Sequence, residues 1–167
     1  MSETAAQYTA RILGYVGEGD PLSTLDSTPA ALVRLVSHVD HARLAHKPAP
    51  TKWSVQEILA HLAESERVLG YRLRRILGAN GTPIESYDQN RWAAVGRYEQ
   101  LPPLDSLNRI QAERTGNLRL LRSLRPEQME LYGIHSERGK ESIAHMSRMW
   151  AGHDINHRRQ IEAILGG

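Results

Sequence analysis

Apolar residues recur along most of this chain at intervals of three and four, the spacing that gathers side chains on one side of an α-helix. Leu32, Leu35, Val36 and Val39 form one stripe, and Val55, Ile58, Leu59, Leu62, Leu69, Leu73 and Ile76 a second. Leu107, Ile110, Leu118 and Leu121 form a third, and Ile143, Met146, Met149, Trp150, Ile161 and Ile164 a fourth. Glycine and proline cluster between the stripes, at residues 17–21, 48–50, 78–83 and 102–103, and so divide the chain into helices and loops. No strand pattern competes with the helical one. The expectation is an all-α fold: a four-helix bundle, with a short N-terminal helix over residues 8–16 and a long connection between the second and third long helices.

Local signals sharpen the boundaries. Thr28 followed by Pro29 reads as a cap with proline at the first helical position, starting a first long helix that fades near Ala45. Ser54 with Glu57 three residues on forms a capping box for the second, flanked by Trp53 and Ile58 as a hydrophobic staple. Gly78 and the Asn80-Gly81 turn end that helix. The third spans roughly residues 104–124 before Pro126, and the fourth begins near Ser142. The connection from 78 to 101 is longer than most loops in compact domains. It has room for a short helix over 89–95 or a pocket lid, with Tyr87, Trp92 and Tyr98 as pocket walls.

A chain of 167 residues fits one domain able to bury its own core, with residues 1–7 expected to be flexible. Cysteine is absent. Disulfides, thiolate ligands and a cysteine nucleophile are thereby excluded, and any thiol used must come from outside. The N-terminus lacks the basic and apolar regions of a signal peptide, and no apolar run approaches a membrane span, so the expected setting is the cytoplasm. With 21 basic against 19 acidic residues the net charge is +2, too little to favour a nucleic-acid partner; small-molecule substrates are expected instead. The arginines at 72, 74 and 75, and at 109, 114, 119 and 122, could bind an acidic substrate or phosphate, but their scatter around the helices reads as solvated faces.

Within the fourth stripe stand two histidines, in His153-Asp-Ile-Asn-His157. Residues four apart on a helix face the same way, so both imidazoles can reach one ion. Buried, hydrogen-bonded core histidines would show the same spacing. The segment differs from the His-Glu-x-x-His motif of zinc proteases, because Asp154 stands where that motif has its general base. Among the other histidines, His38, His41 and His46 fall near a helix end, His135 in a polar loop, and His145 about a quarter turn away from the pair. His61, beside the apolar face of the second long helix, is the best third ligand.

Three segments, Lys52-Trp-Ser-Val-Gln-Glu-Ile-Leu-Ala-His61-Leu-Ala-Glu-Ser-Glu66, Gly133-Ile-His-Ser-Glu-Arg-Gly139 and Gly152-His-Asp-Ile-Asn-His-Arg-Arg-Gln-Ile161, resemble the DinB/YfiT-like superfamily of metal-binding four-helix bundles. The resemblance covers nearly the whole chain. It implies a ligand set of His61, His153 and His157, in many members a homodimer, and activities from metal-dependent hydrolysis to transfer or isomerisation with a low-molecular-weight thiol. The family often has aspartate at the position of Glu64.

Three protein ligands leave a coordination position open, the pattern of catalytic zinc sites. The expected function is a metal-dependent hydrolase or thiol-dependent transferase with one divalent ion, zinc or nickel first. The alternative is a non-catalytic metal-binding or stress-response protein. Glu66 is the candidate for proton transfer, with Glu64 beside the ligands and Tyr71, Trp92 and Trp150 as pocket walls.

Overall fold

The computed structural model describes residues 3–166. Its elements follow in the order α1 (Ala5–Val16), α2 (Pro21–Val36), α3 (His41–Ala45), α4 (Val55–Gly78), β1 (Thr82–Ile84), α5 (Gln89–Val95), a 3₁₀ turn (Tyr98–Gln100), α6 (Pro103–Ser123), α7 (Pro126–Met129), β2 (Tyr132–His135), β3 (Gly139–Ser142) and α8 (Ile143–Leu165). The long helices α2, α4, α6 and α8 form the expected four-helix bundle, arranged so that α4 packs on α6 and α8, and α2 on the same two helices. The short helix α1 lies against α8. That approach is close: a Cβ on Gly152 would stand 2.1 Å from the Ile12 carbonyl oxygen, so only glycine admits α1 here. Of the N-terminal stretch expected to be flexible, residues 1 and 2 lie outside the described residues, while Thr4 caps a helix that already contains Ala5.

The first long helix starts earlier than its sequence indicated. Asp20 is the cap, its carboxylate accepting the backbone N–H groups of Leu22 and Ser23 at 3.2 and 2.9 Å, with Pro21 behind it, and Pro29 lies inside the helix. A proline there cannot bond the carbonyl four residues back. Arg114, reaching across from α6, supplies the missing donor: its Nη1 bonds the Leu25 carbonyl at 2.6 Å. The stretch expected to run on to Ala45 is broken after Val36, and a second cap, Asp40, starts α3. By contrast the α4 capping box forms as read, with Ser54 and Glu57 each accepting the other's backbone N–H, at 3.2 and 2.8 Å.

A three-stranded sheet, absent from the sequence expectation, sits beside the bundle. β1 runs parallel to β2 with Pro83 opposite Ile134, and β2 pairs antiparallel with β3 with His135 opposite Gly139. Alternation does exist in β2, but its inward positions are Gly133 and His135 while Ile134 points out. The pattern therefore lacks the apolar face by which half-buried strands are recognised. A Cβ on Gly133 would meet Ile84 Cδ1 at 2.3 Å, which explains glycine at that inward position. His135, placed by its sequence in a polar loop, is instead a strand residue only 2% exposed.

Two apolar clusters fill the interior. Leu25, Leu73, Ile76, Ile143 and Trp150 build one, and Leu32, Ile58, Leu59, Leu62, Ile110 and Ile161 the other. No described helix is long and apolar enough to cross a membrane.

Candidate metal centre

Helices α4 and α8 turn matching stripes towards a cavity of about 460 Å³. From α4 come His61, Ser65, Val68 and Arg72, and from α8 Met146, Met149, Trp150 and His153, each set at the spacing of one helical face. The cavity is closed by α1 through Tyr8, by the β2–β3 hairpin through His135, Arg138 and Glu141, and by Tyr87 in the long connection. A chamber of this size suits a small metabolite.

At one end of it three imidazoles converge. His61 Nε2 lies 3.0 Å from His153 Nε2, which lies 3.2 Å from His157 Nε2. One ligand atom from each residue falls within 4.8 Å of the others. Two nitrogens bound to one tetrahedral zinc would stand roughly 3.3 Å apart, so the spacing is that of a shared ion. His157 Nδ1 lies 3.0 Å from Gln160 Oε1. That amide oxygen can only accept, so the ring proton sits on Nδ1 and the Nε2 lone pair faces the cluster. The Trp53 ring packs on His61, 4.9 Å between centroids, and Ser65 Oγ is 3.5 Å from its Nε2.

Electrostatics keep the cluster neutral. Burial first, then the mutual repulsion of the rings, holds His61 well below the usual histidine range. Burial, aided by the Arg114 and Arg138 charges, pushes His153 down to about 4. His157 falls to about 3, again through burial first and His153 second. Neutral imidazoles are the form that ligates a metal. Without an ion, three Nε2 atoms at hydrogen-bond distance cannot all be matched donor to acceptor, because each neutral ring brings one proton. A cation at their centre removes the conflict, and the donor set fits one.

The sequence profile of the DinB superfamily matches residues 24–161. The chain belongs to that superfamily. Its relatives include an Oceanobacillus iheyensis protein named "Putative metal-dependent hydrolase", 28% identical over 143 residues, which are 86% of this chain and 83% of the relative. A Bacillus cereus protein of the same name is 22% identical over 86% of this chain and 82% of its own length. Among solved structures, YfiT from Bacillus subtilis, described as a probable metal-dependent hydrolase with an unusual four-helix bundle topology, superposes with a TM-score of 0.75. That match covers 99% of this chain and 91% of YfiT at 22% identity, a likeness of fold.

The other sequence candidates are dispersed. Glu66, 1% exposed, faces the bundle interior. Its Oε1 accepts from Arg114 and, at 2.8 Å, from Trp150 Nε1, while Arg114 Nη1 also donates to Asp154 at 2.8 Å. Burial outweighs the Arg114 charge and pushes the Glu66 carboxyl upward. Glu64 is partly exposed and pairs with Arg109 and, at 3.8 Å, with Arg67. Trp150 lines the histidine cavity, but Tyr71 and Trp92 do not; they border an outer groove, where Tyr71 is 61% exposed and Trp92 packs on Tyr87 at 4.4 Å. Tyr98 is buried against Ala60 and Ala93.

The sequence reading does not bring Tyr8, Ser65, Arg138 or Glu141 to the site, leaves Arg72 on a solvated face and puts His135 in a polar loop, yet all six line the cavity. Ser65 and Arg72 could have been found, since they continue the helical face of His61. The hairpin segment 133–139 is marked only by its family resemblance; its approach to the histidines depends on the sheet.

Proposed function

We propose that this protein is a metal-dependent hydrolase in which His61, His153 and His157 hold one divalent ion beside a substrate cavity. The observation that carries this reading is the convergence of three neutral histidine Nε2 atoms at the wall of a chamber of about 460 Å³. A divalent ion supplies Lewis acidity there, polarising the carbonyl or phosphoryl oxygen of a bond to be broken. The chain's own residues prepare the place. Gln160 holds the His157 tautomer, Trp53 packs against His61, and Met146 and Met149 give the cavity an apolar wall. In this reading Glu66 is a scaffold residue, its Oε1 held by Arg114 and Trp150 while its buried Oε2 has no partner.

Among the described residues the ligand group contains three members, which leaves coordination for a substrate. That favours an enzyme over a non-catalytic metal-binding or stress-response protein. The names of the relatives support the same choice. Imidazole ligands suit several ions, and zinc and nickel are the first to load.

The test is metal analysis together with turnover of ester, amide and phosphoester panels by the loaded protein and its His153→Ala variant. Wild type should hold one ion and turn over, and the variant should lose both. Undiminished hydrolysis by an ion-free His153→Ala would overturn the reading. Because the chain has no cysteine, a parallel panel pairs an external low-molecular-weight thiol with electrophiles. Metal-dependent turnover there alone would reassign the protein as an S-transferase, and a bound ion with no turnover on either panel would favour the non-catalytic role.

A further inference from the structure

A second group of donors faces the same cavity and takes no part in the histidine cluster. His135 Nδ1 accepts the backbone N–H of Glu137 at 3.1 Å, so the neutral ring carries its proton on Nε2. Burial, reinforced by the Arg138 charge, lowers its pKa and favours that neutral form. The Nε2–H has no acceptor among the described residues, although His135 is almost wholly buried on the cavity wall. That hydrogen is open to the cavity, which is where a partner for it would lie.

Arg72 lies three helical turns along α4 from His61 and lines the cavity. It is half-buried, stacked 5.8 Å above the Tyr87 ring, and donates through Nη2 to the Glu85 carbonyl. No carboxylate stands within 4.0 Å of its guanidinium among the described residues, whereas its neighbour Arg138 is paired in bidentate fashion with Glu141, at 2.6 and 3.1 Å. Arg72 and Arg138 therefore face a single inner carboxylate, Glu141, leaving one positive charge unopposed. The remaining acidic lining residues, Glu3 and Glu137, are exposed, and Glu3 is tied to Arg11 at 2.8 Å. A partly desolvated guanidinium is a strong receptor for a planar oxyanion.

We infer that Arg72 and the His135 Nε2–H form an anion-binding subsite of the cavity, so that the substrate is a small molecule carrying a carboxylate or phosphate group besides the bond that is cleaved. The inference rests on the cavity being the substrate chamber of the metal centre. The two donors would hold the anionic end by charge-assisted hydrogen bonds while the reacting end lies at His61 and His153.

The experiment is calorimetric titration, which needs no turnover and so separates this inference from the hydrolase reading. Zinc-loaded and metal-free protein are each titrated with succinate, with inorganic phosphate and with uncharged succinamide. Wild type should bind at least one of the anions in both forms and bind succinamide more weakly; the tighter anion identifies the group. Arg72→Gln should weaken anion binding about tenfold or more, as expected for the loss of charged hydrogen bonds, while zinc stoichiometry and thermal midpoint stay near wild type. His135→Phe should weaken it a fewfold and His135→Gln, which retains a donor, less. Arg109→Gln, outside the cavity, should have no effect. Anion binding within twofold of wild type in Arg72→Gln, or binding that vanishes from wild type when zinc is removed, overturns the subsite.

Discussion

Two polar clusters lie buried between the same helices, and they are built on opposite principles. His61 and Glu66 both come from α4, and His153 and Asp154 are adjacent on α8. Around Arg114 a cation is met by the Glu66 and Asp154 carboxyls and by the carbonyl that Pro29 leaves unbonded, while the Trp150 N–H donates to the same Glu66 oxygen. Burial pushes Glu66 towards its protonated form, which brings that cluster towards neutrality. The histidine cluster has three Nε2 atoms pointed together and no cation of its own. The Arg114 cluster is met by protein groups except at Glu66 Oε2, which is buried without a partner, and it braces α2, α4, α6 and α8; the histidine cluster is completed only by something from outside. Removing one charge from a closed buried network leaves the others uncompensated, whereas changing an open donor set costs binding more than folding.

That contrast can be broken in several ways, from the largest effect down. Arg114→Leu strands Glu66 and Asp154 and is expected to cost about 3–5 kcal/mol of stability, read as a fall in the urea midpoint; an unchanged midpoint would deny the network its bracing role. His153→Ala should lower zinc affinity more than about a hundredfold, roughly 3 kcal/mol, in competition with a chelator. The same variant, metal-free, should melt within about 1 kcal/mol of wild type. If instead it unfolds like Arg114→Leu, the two clusters are not distinct.

Acidity probes the open cluster next. His153 and His157 titrate near 4 and 3 in the folded protein against 6.5 for an unperturbed ring. As pH falls below about 6.5 the unfolded chain takes up protons first, so stability present above that pH drains away down to the folded values. For His157 alone the loss between pH 7 and 5 is on the order of 2 kcal/mol, measurable by thermal melts of the metal-free protein. Zinc should resist the loss until protons displace it. The smallest expected effect is Gln160→Leu, which releases the His157 tautomer and should weaken zinc binding about tenfold with little change in melting. Equal zinc affinity in that variant would mean the amide does not orient the ligand.

Much of this was legible along the chain because helices are local. The bundle followed from three-and-four spacing, the α4 start from a capping box, and the pairing of His153 with His157 from one turn of helix. Where reading failed, distant contacts had overruled local preference. Thr28-Pro29 looks like a helix start, and it lies inside α2 because Arg114, far along the chain, bonds the carbonyl that proline cannot. Residues 132–135 look like a loop because the inward face of their strand is a glycine and a histidine. The sequence by itself determined the helices, their apolar faces and which histidines share a face. Only the tertiary structure decided that His61 meets the pair on α8, that Glu66 is drawn into an ion-pair network, and that Arg72 and His135 face the same cavity. The physical reason is that side-chain direction on a helix is set within a few residues, whereas the burial and pairing of charges depend on which elements meet.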